Sequence, residues 1–367
     1  MSIAEIYEQT VRHFLAPIRA LMEDSSVTEV MVVGPQNVYF ERAGQIHKSD
    51  AAFKSDAQLM AAIRNISEYA NRRIDRNNHS MDARLPTGER VHAIIPPASR
   101  VGICLTIRKF QKSSFNLESL VERGSMSPEA AEFLAICVVL HKNIVISGGT
   151  GTGKTSMLNA LSTAIPNRER IVVIEDSSEL QLNQKHTVYL EAQPPRPNGE
   201  GAVTIRDLFV DSLRMRPDRI VVGEVRRGEA LDLIQSMISG HAGSLTTVHA
   251  NTPRDAARRL ETLCLMNDNA LPIYVARAQV SSAMHLVIQL ARYSDGSRRI
   301  SAISEASGLD DSNEYQWNDL FQFCGTGRDA DGRIQGQLER VGTPSFSSEP
   351  KEMGLQDMVT CTQGLFA

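Results

Sequence analysis

The apolar positions of this chain fall into three successive patterns. In residues 3–22, Ile3, Ile6, Val11, Phe14, Leu15, Ile18, Leu21 and Met22 lie near helical spacing and predict one amphipathic helix. Short β-rich runs follow at 29–33 and 37–41, flanking a Gly34-Pro35 turn. A helical stretch at 56–72 precedes further strand-like runs at 91–95 and 104–108, with Pro86-Thr87-Gly88 separating the first of these from residues 81–85. These elements predict a mixed α+β domain over residues 1–112. The third pattern begins at Ser127-Pro128, an N-cap followed by proline in the first helical position. From there, strand-like runs at 144–146, 171–174, 187–190, 219–222 and 244–248 alternate with helical runs at 156–163 and 228–240. That alternation predicts a mostly parallel sheet covered by helices, assigned to residues 127–305. Residues 113–126 read as a linker, and 193–199, with three prolines, as a rigid loop. After about residue 305 the chain turns polar and carries turn signals at 329–332 and 342–344, which predicts a small peripheral β-containing tail over 306–367.

Composition narrows this picture only slightly. A chain of 367 residues exceeds one small core, so two domains are expected. Hydrophobic residues make up 42% and charged residues 22%, the ordinary balance of a soluble globular protein. A formal net charge of −4 supplies no global basic field, so no nucleic-acid partner is expected. The five cysteines are scattered and form no C-x-x-C, which argues against a zinc site or a disulfide framework and for reduced thiols in the cytoplasm. The N-terminus has no signal-peptide pattern. The longest apolar stretch, 133–140, is far short of the roughly 20 residues that span a bilayer, so any membrane association is expected to be peripheral.

Residues 148–155 carry the most specific chemistry. Gly148-Gly149-Thr150-Gly151-Thr152-Gly153-Lys154-Thr155 is a complete G-x-x-x-x-G-K-[ST] phosphate-binding loop between an apolar strand and a helix that begins at Ser156. The glycines let backbone N–H groups converge on an anion at the helix N-terminus. Lys154 adds a point charge for the β- and γ-phosphates, and Thr155 offers a hydroxyl to Mg²⁺. ATP with Mg²⁺ is the expected ligand, and Gly148 to Ser156 are the expected contacts.

Two further strands end in acids: 171–174 in Glu175-Asp176, and 220–223 in Glu224. In a parallel sheet, strand C-termini share one edge with the phosphate loop, so these acids are expected near Lys154. Carboxylates there can hold Mg²⁺ or activate water. His241 and His249 stand eight residues apart in Gly240-His241-Ala242-Gly243-Ser244-Leu245-Thr246-Thr247-Val248-His249. Metal binding, core packing and γ-phosphate sensing all remain open for them.

The phosphate loop occurs in order with Ile174-Glu175-Asp176-Ser177-Ser178-Glu179-Leu180, Leu213-Arg214-Met215-Arg216-Pro217-Asp218-Arg219, Val222-Gly223-Glu224-Val225-Arg226 and Thr246-Thr247-Val248-His249-Ala250-Asn251. Together these resemble the type II/IV secretion system ATPases, and within them the CpaF-type ATPase of Tad (tight adherence) pilus assembly. Residues 28–35, 105–110 and the tail from Asn318-Asp319-Leu320-Phe321 resemble that branch as well. The resemblance covers roughly residues 27–345. The family often has an asparagine where this chain has Val33, and the cysteine spacing excludes the four-cysteine zinc module of some type II relatives.

This resemblance implies an α/β fold, with a RecA-like P-loop NTPase core and a smaller N-terminal α+β domain. It implies that Glu175 polarises the attacking water, that Glu224 acts on Mg²⁺ together with Thr155, and that His241 and His249 bracket a histidine box. It implies arginines reaching the nucleotide from a neighbouring domain or subunit, with Arg90 and Arg108 as candidates and Arg84 behind them. It also implies a homohexamer at the cytoplasmic face of the inner membrane, working on a platform protein to assemble pili or secrete proteins. The rival readings are a conjugation-type or pilus-retraction ATPase, a RecA-like nucleic-acid translocase and a nucleotide-gated binding protein without turnover.

Overall fold

A computed structural model describes residues 3–42, 44–109, 115–195, 199–267 and 271–366. The chain forms two compact units, one of residues 1–113 with 195–202, the other of residues 114–194 with 203–367.

In the first unit, α1 (Ile3–Phe14) and α2 (Arg19–Glu23) replace the single expected helix. Pro17 lies in a short 3-10 turn between them. Proline has no N–H to donate and its ring clashes with the preceding turn, so the helix breaks there. Six strands follow: β1 (Val27–Val33), β2 (Val38–Arg42), β3 (Gln45–Ser49), then β4 (Ser80–Arg84), β5 (Arg90–Ile94) and β6 (Cys104–Arg108), with α3 (Asp56–Tyr69) between β3 and β4. They form an antiparallel sheet in the order β3-β2-β1-β6-β5-β4. Alternate residues Val30, Val32, Leu105, Ile107, Val91 and Ala93 are buried, sharing a core with Leu59, Ala62, Ile63 and Ile66 of α3. Ser55 caps α3 by accepting a hydrogen bond from the Gln58 N–H. β3 carries no alternating pattern and is largely exposed, so periodicity had nothing to read there.

The second unit opens with α4 (Leu117–Glu122), inside the expected linker. Asn116 and Ser119 close a capping box, and Leu117, Leu120 and Met126 are buried, so residues 115–126 pack on the core around a six-residue helix rather than forming a tether. The other linker residues, Gln111-Lys112-Ser113-Ser114, lie outside the described residues. Next come α5 (Pro128–Val139), β7 (Ile144–Gly148), α6 (Lys154–Ser162), β8 (Ile171–Glu175), β9 (Thr187–Glu191), α7 (Ile205–Ser212), β10 (Arg219–Val222), α8 (Glu229–Ile238) and β11 (Leu245–Val248). The remainder is α9 (Pro253–Leu265), α10 (Ile273–Ala283), β12 (Leu286–Arg292), β13 (Arg298–Leu309), β14 (Tyr315–Arg328), β15 (Ile334–Arg340) and α11 (Glu349–Glu352).

A nine-stranded sheet runs β15-β14-β13-β12-β7-β11-β10-β8-β9. The pairs from β12 through β7, β11, β10 and β8 to β9 are parallel, and β12 to β15 form an antiparallel meander. The central strands β7, β8, β10 and β11 are buried at every position, because helices cover both faces. Each face builds its own hydrophobic cluster.

The segment expected as a peripheral tail belongs to this core. Phe133 of α5 lies with its ring centroid 5.5 Å from that of Phe321, 6.3 Å from Phe346 and 5.6 Å from Phe366. The Glu132 carboxylate accepts hydrogen bonds from the backbone N–H groups of Thr360, Cys361 and Thr362. Burial raises its pKa, but hydrogen bonds donated by the side chains of Thr360, Thr362 and Cys361, with the Cys361 N–H, outweigh it and hold the carboxyl below the usual range. The polar surface of β14 and β15 hid this packing, because one face of an antiparallel edge meander stays in solvent. The fold is α/β, with the phosphate loop in the larger unit and a smaller α+β unit preceding it in sequence.

Candidate functional site

The phosphate loop leaves β7, which lies between β11 and β12, and closes into α6. Gly151 and Gly153 have φ of 72° and 95°, a left-handed backbone that side chains oppose. Thr152 is buried and donates to the Gly149 carbonyl at 2.9 Å. Lys154 is buried; its Nζ donates to the carbonyls of Gly148 at 3.1 Å and Gly149 at 3.0 Å. Burial lowers its pKa, with Glu224 opposing. A phosphate oxygen carries more charge than a carbonyl and would take this ammonium from its present acceptors.

Glu224 lines the cavity beside the loop with Thr150, whereas Glu175 ends β8, three places from β7 in the sheet. β8 and β10 are adjacent and parallel, with Val222 opposite Ile174. Gly223 permits close approach, since a β-carbon there would stand 3.0 Å from Glu175 Cγ. Glu175 is buried, and its Oε1 accepts hydrogen bonds from the N–H groups of Glu179 at 2.7 Å and Leu180 at 3.0 Å. Its carboxylate therefore also folds the loop after β8.

Glu224 begins a chain of charged contacts. His249 Nε2 is 3.1 Å from Glu224 Oε1, and its Nδ1 is 3.3 Å from Lys154 Nζ. A neutral imidazole that donates from Nε2 and accepts at Nδ1 satisfies both contacts. Burial and then the Lys154 charge lower the His249 pKa, which favours that neutral form. Arg226 donates to Glu224 at 2.9 Å and to Asp176 at 3.2 Å. The hydrogen bond to Glu224 raises its pKa.

The two histidines part company. β11 pairs with β7 so that Leu245 lies beside Ile144 and Val248 beside Ser147. His249 therefore emerges at the phosphate-loop edge, and His241 precedes the opposite end. A four-residue strand at roughly 3.3 Å per residue separates those ends by about 13 Å. The expected site role of His241 is corrected on that ground: its carbonyl accepts a hydrogen bond from Ser244, in the turn before β11.

Arg84, Arg90 and Arg108 form a cross-strand row in the first unit, Arg84 opposite Arg90 and Arg90 opposite Arg108. Arg108 also stands opposite Glu29, whose pKa is raised by burial against the pull of Arg108.

A cavity of about 440 Å³ adjoins the loop, lined by Thr150, Glu224, Val225, Arg226, His249 and Arg259. Sequence reasoning gave no role to Arg226 or Arg259. Arg226, two residues after Glu224, was in plain view within a quoted motif. Arg259 lies on α9 and carried no local signal.

The cradle of glycines, the buried lysine and the neighbouring acids fit a nucleotide polyphosphate. Among the described residues, no three His, Cys, Asp or Glu side chains group to hold a metal. Thr155 and Glu224 would give Mg²⁺ two oxygens, the rest coming from phosphates and water, as that ion usually takes them. Bound there, it would neutralise phosphate charge.

Residues 12–334 match the family model described as "Type II/IV secretion system protein". The chain belongs to that family. The putative conjugal transfer protein Rv3659c of Mycobacterium tuberculosis is 34% identical over 294 residues, covering 78% of this chain and 83% of the relative. The type IV secretion system protein PtlH of Bordetella pertussis is 32% identical over 318 residues, covering 80% and 94%. Among solved structures, the ATPase DotB of Legionella pneumophila shares the fold at a TM-score of 0.54 and 17% identity, covering 83% of this chain and 82% of that one. Family membership and the complete phosphate loop make this chain an ATPase of the secretion type.

Proposed function

We propose that this chain is a ring-forming motor that couples ATP hydrolysis to pilus assembly or protein secretion, at the cytoplasmic face of the inner membrane and against a membrane platform protein. The observation that carries the reading is the convergence of Lys154, His249, Glu224 and Arg226 at the edge where the phosphate loop opens. Glu224 and His249 are positioned to respond to the γ-phosphate, because both already contact Lys154 or its partner. Glu175 orients water while its other contacts fix the loop after β8. Losing the γ-phosphate releases these contacts, and a hinge that closes on ATP then reopens. Among the described residues no helix is long and apolar enough to cross a membrane, which fits action through a partner.

In this reading the subunits form a homohexamer, and Arg90 or Arg108 reaches the nucleotide of a neighbouring site. The Tad pilus is our preferred machine, on the motifs at residues 28–35 and 105–110. A conjugation-type or other type IV secretion system is the second reading, favoured by the 94% coverage of PtlH. One mixing experiment tests the ring: Arg90→Ala or Arg108→Ala combined with Lys154→Ala regains hydrolysis that each lacks alone. If every mixture stays at the sum of its parts, the arginines do not act between subunits. ATP-dependent co-purification with a pilus or a conjugation membrane protein separates the two machines.

A further inference from the structure

The flank of the phosphate loop away from the acids holds an unexplained concentration of positive charge. Strand order puts β11, with His249, on one side of β7 and β12 on the other. Leu286, Ile288 and Leu290 of β12 alternate into the cluster that packs on α6, and Arg292 continues that alternation past Leu290. Arg298, two residues before the buried Ile300, stands directly opposite Arg292 across the hairpin. Both side chains reach the loop: a β-carbon on Gly151 would lie 3.8 Å from Arg292 Nη1, and one on Gly153 3.8 Å from Arg298 Cδ.

Like charges facing each other across two strands destabilise a sheet. Among the described residues, no carboxylate pairs with either guanidinium. Asp295, in the turn between the two strands, accepts from the Ser297 N–H and hydroxyl and from the Ile334 N–H, and these hydrogen bonds lower its pKa to about 2. The other arginines of the hairpin region have partners: Arg299 donates to the Ile334 carbonyl at 2.7 Å, and Arg328 to Gly332 O and Ser294 Oγ. Among the described residues, the guanidinium groups of Arg292 and Arg298 have no hydrogen-bond or ion-pair partner. Two solvated surface arginines need no explanation; an opposed pair against the phosphate loop does.

We propose that Arg292 and Arg298 clamp the non-transferred α- and β-phosphates of the bound nucleotide, on the opposite flank of the loop from the catalytic acids. The inference rests on the nucleotide-binding reading above. Guanidinium groups suit it because their planar donors match phosphate oxygens two at a time. The acids and His249 lie where the γ-phosphate is cleaved, so the β12 flank serves the phosphates that stay on the nucleoside.

The test measures ADP and adenosine binding to the full chain, alongside melting with and without ADP. The variants are Arg292→Gln, Arg298→Gln and the pair. Each single change is expected to weaken ADP about tenfold, the loss of one charge-assisted hydrogen bond, while adenosine binding stays put. Without nucleotide, the double variant should melt no lower than the parent, because a repulsion has been removed. The added stabilisation by ADP should shrink. Equal ADP affinity in parent and double variant, within about twofold, overturns the clamp. So does a lower melting temperature without nucleotide, which would make the arginines structural. If the parent itself fails to bind ADP, the nucleotide reading falls instead.

Discussion

The two edges of the nine-stranded sheet hold charged residues of the same types under opposite conditions. At the edge remote from the phosphate loop, Arg219 is wholly buried and paired with Glu169 at 2.5 Å. Its other donors go to the carbonyls of Gly243 and Val138. Asn143, also buried, accepts from the N–H groups of Gly243 and Ser244 and donates to Ala283. Every one of these donors has an acceptor that cannot leave without unfolding the chain. At the loop edge, the buried Lys154 rests on two carbonyls and a histidine, and the exposed Arg226 divides itself between two acids. Those partners can be exchanged for a phosphate at small cost. A closed network locks, and an open one switches.

The largest effects should come from the open edge and leave the fold alone. Lys154→Ala is expected to abolish measurable ATP hydrolysis and strongly weaken nucleotide binding, with an unchanged or raised melting temperature, since a desolvated ammonium has been removed. Glu224→Gln should still bind ATP but lose roughly 10²–10⁴ in turnover, the usual weight of a proton-transfer or orienting group. Stopped-flow binding and steady-state phosphate release separate the two. Wild-type turnover in Glu224→Gln would move the catalytic acid elsewhere and erase the contrast.

The closed edge should answer in stability. Arg219→Ala strands a buried Glu169 and is expected to cost about 3–5 kcal/mol in chemical denaturation. Nucleotide affinity per folded molecule should stay at the parental value. A loss of affinity without a loss of stability would show that the two edges are coupled.

A smaller effect concerns pH. His285 Nδ1 accepts a hydrogen bond from the Asn143 N–H at 2.9 Å, which requires a neutral ring at that nitrogen. Burial, and next the Lys142 charge, lower its pKa from the usual 6.5. The unfolded chain therefore takes up this proton before the folded one does as pH falls. Stability should decline as pH drops below about 6.5 and level off below the folded pKa. His285→Gln should flatten that part of the denaturation profile; an unaltered profile would remove His285 from the closed network.

Local pattern made much of the molecule legible. Strands 104–108 and 171–174, the helix at 56–72 and the phosphate loop itself were readable because period and turn chemistry act over a few residues. Glu224 was expected at the loop edge because it closes a recognised apolar run, whereas His249 was singled out only together with His241, as one of two histidines in a single segment. The sequence could not rank His241 against His249: they are near neighbours in sequence, but a strand between them delivers one to each edge. It also misread residues 306–366, whose inward face is a few aromatic positions among many polar ones.

By itself, then, the sequence determined which residues can grip a phosphate and where each strand ends, since a glycine-rich turn and an apolar run are local facts. Only the tertiary structure decided which charges meet. Glu169 and Arg219 are fifty residues apart. Arg292 reaches Gly151 only because β12 enters the sheet beside β7. Strand order is set by the burial of whole faces, and no short stretch of sequence contains it.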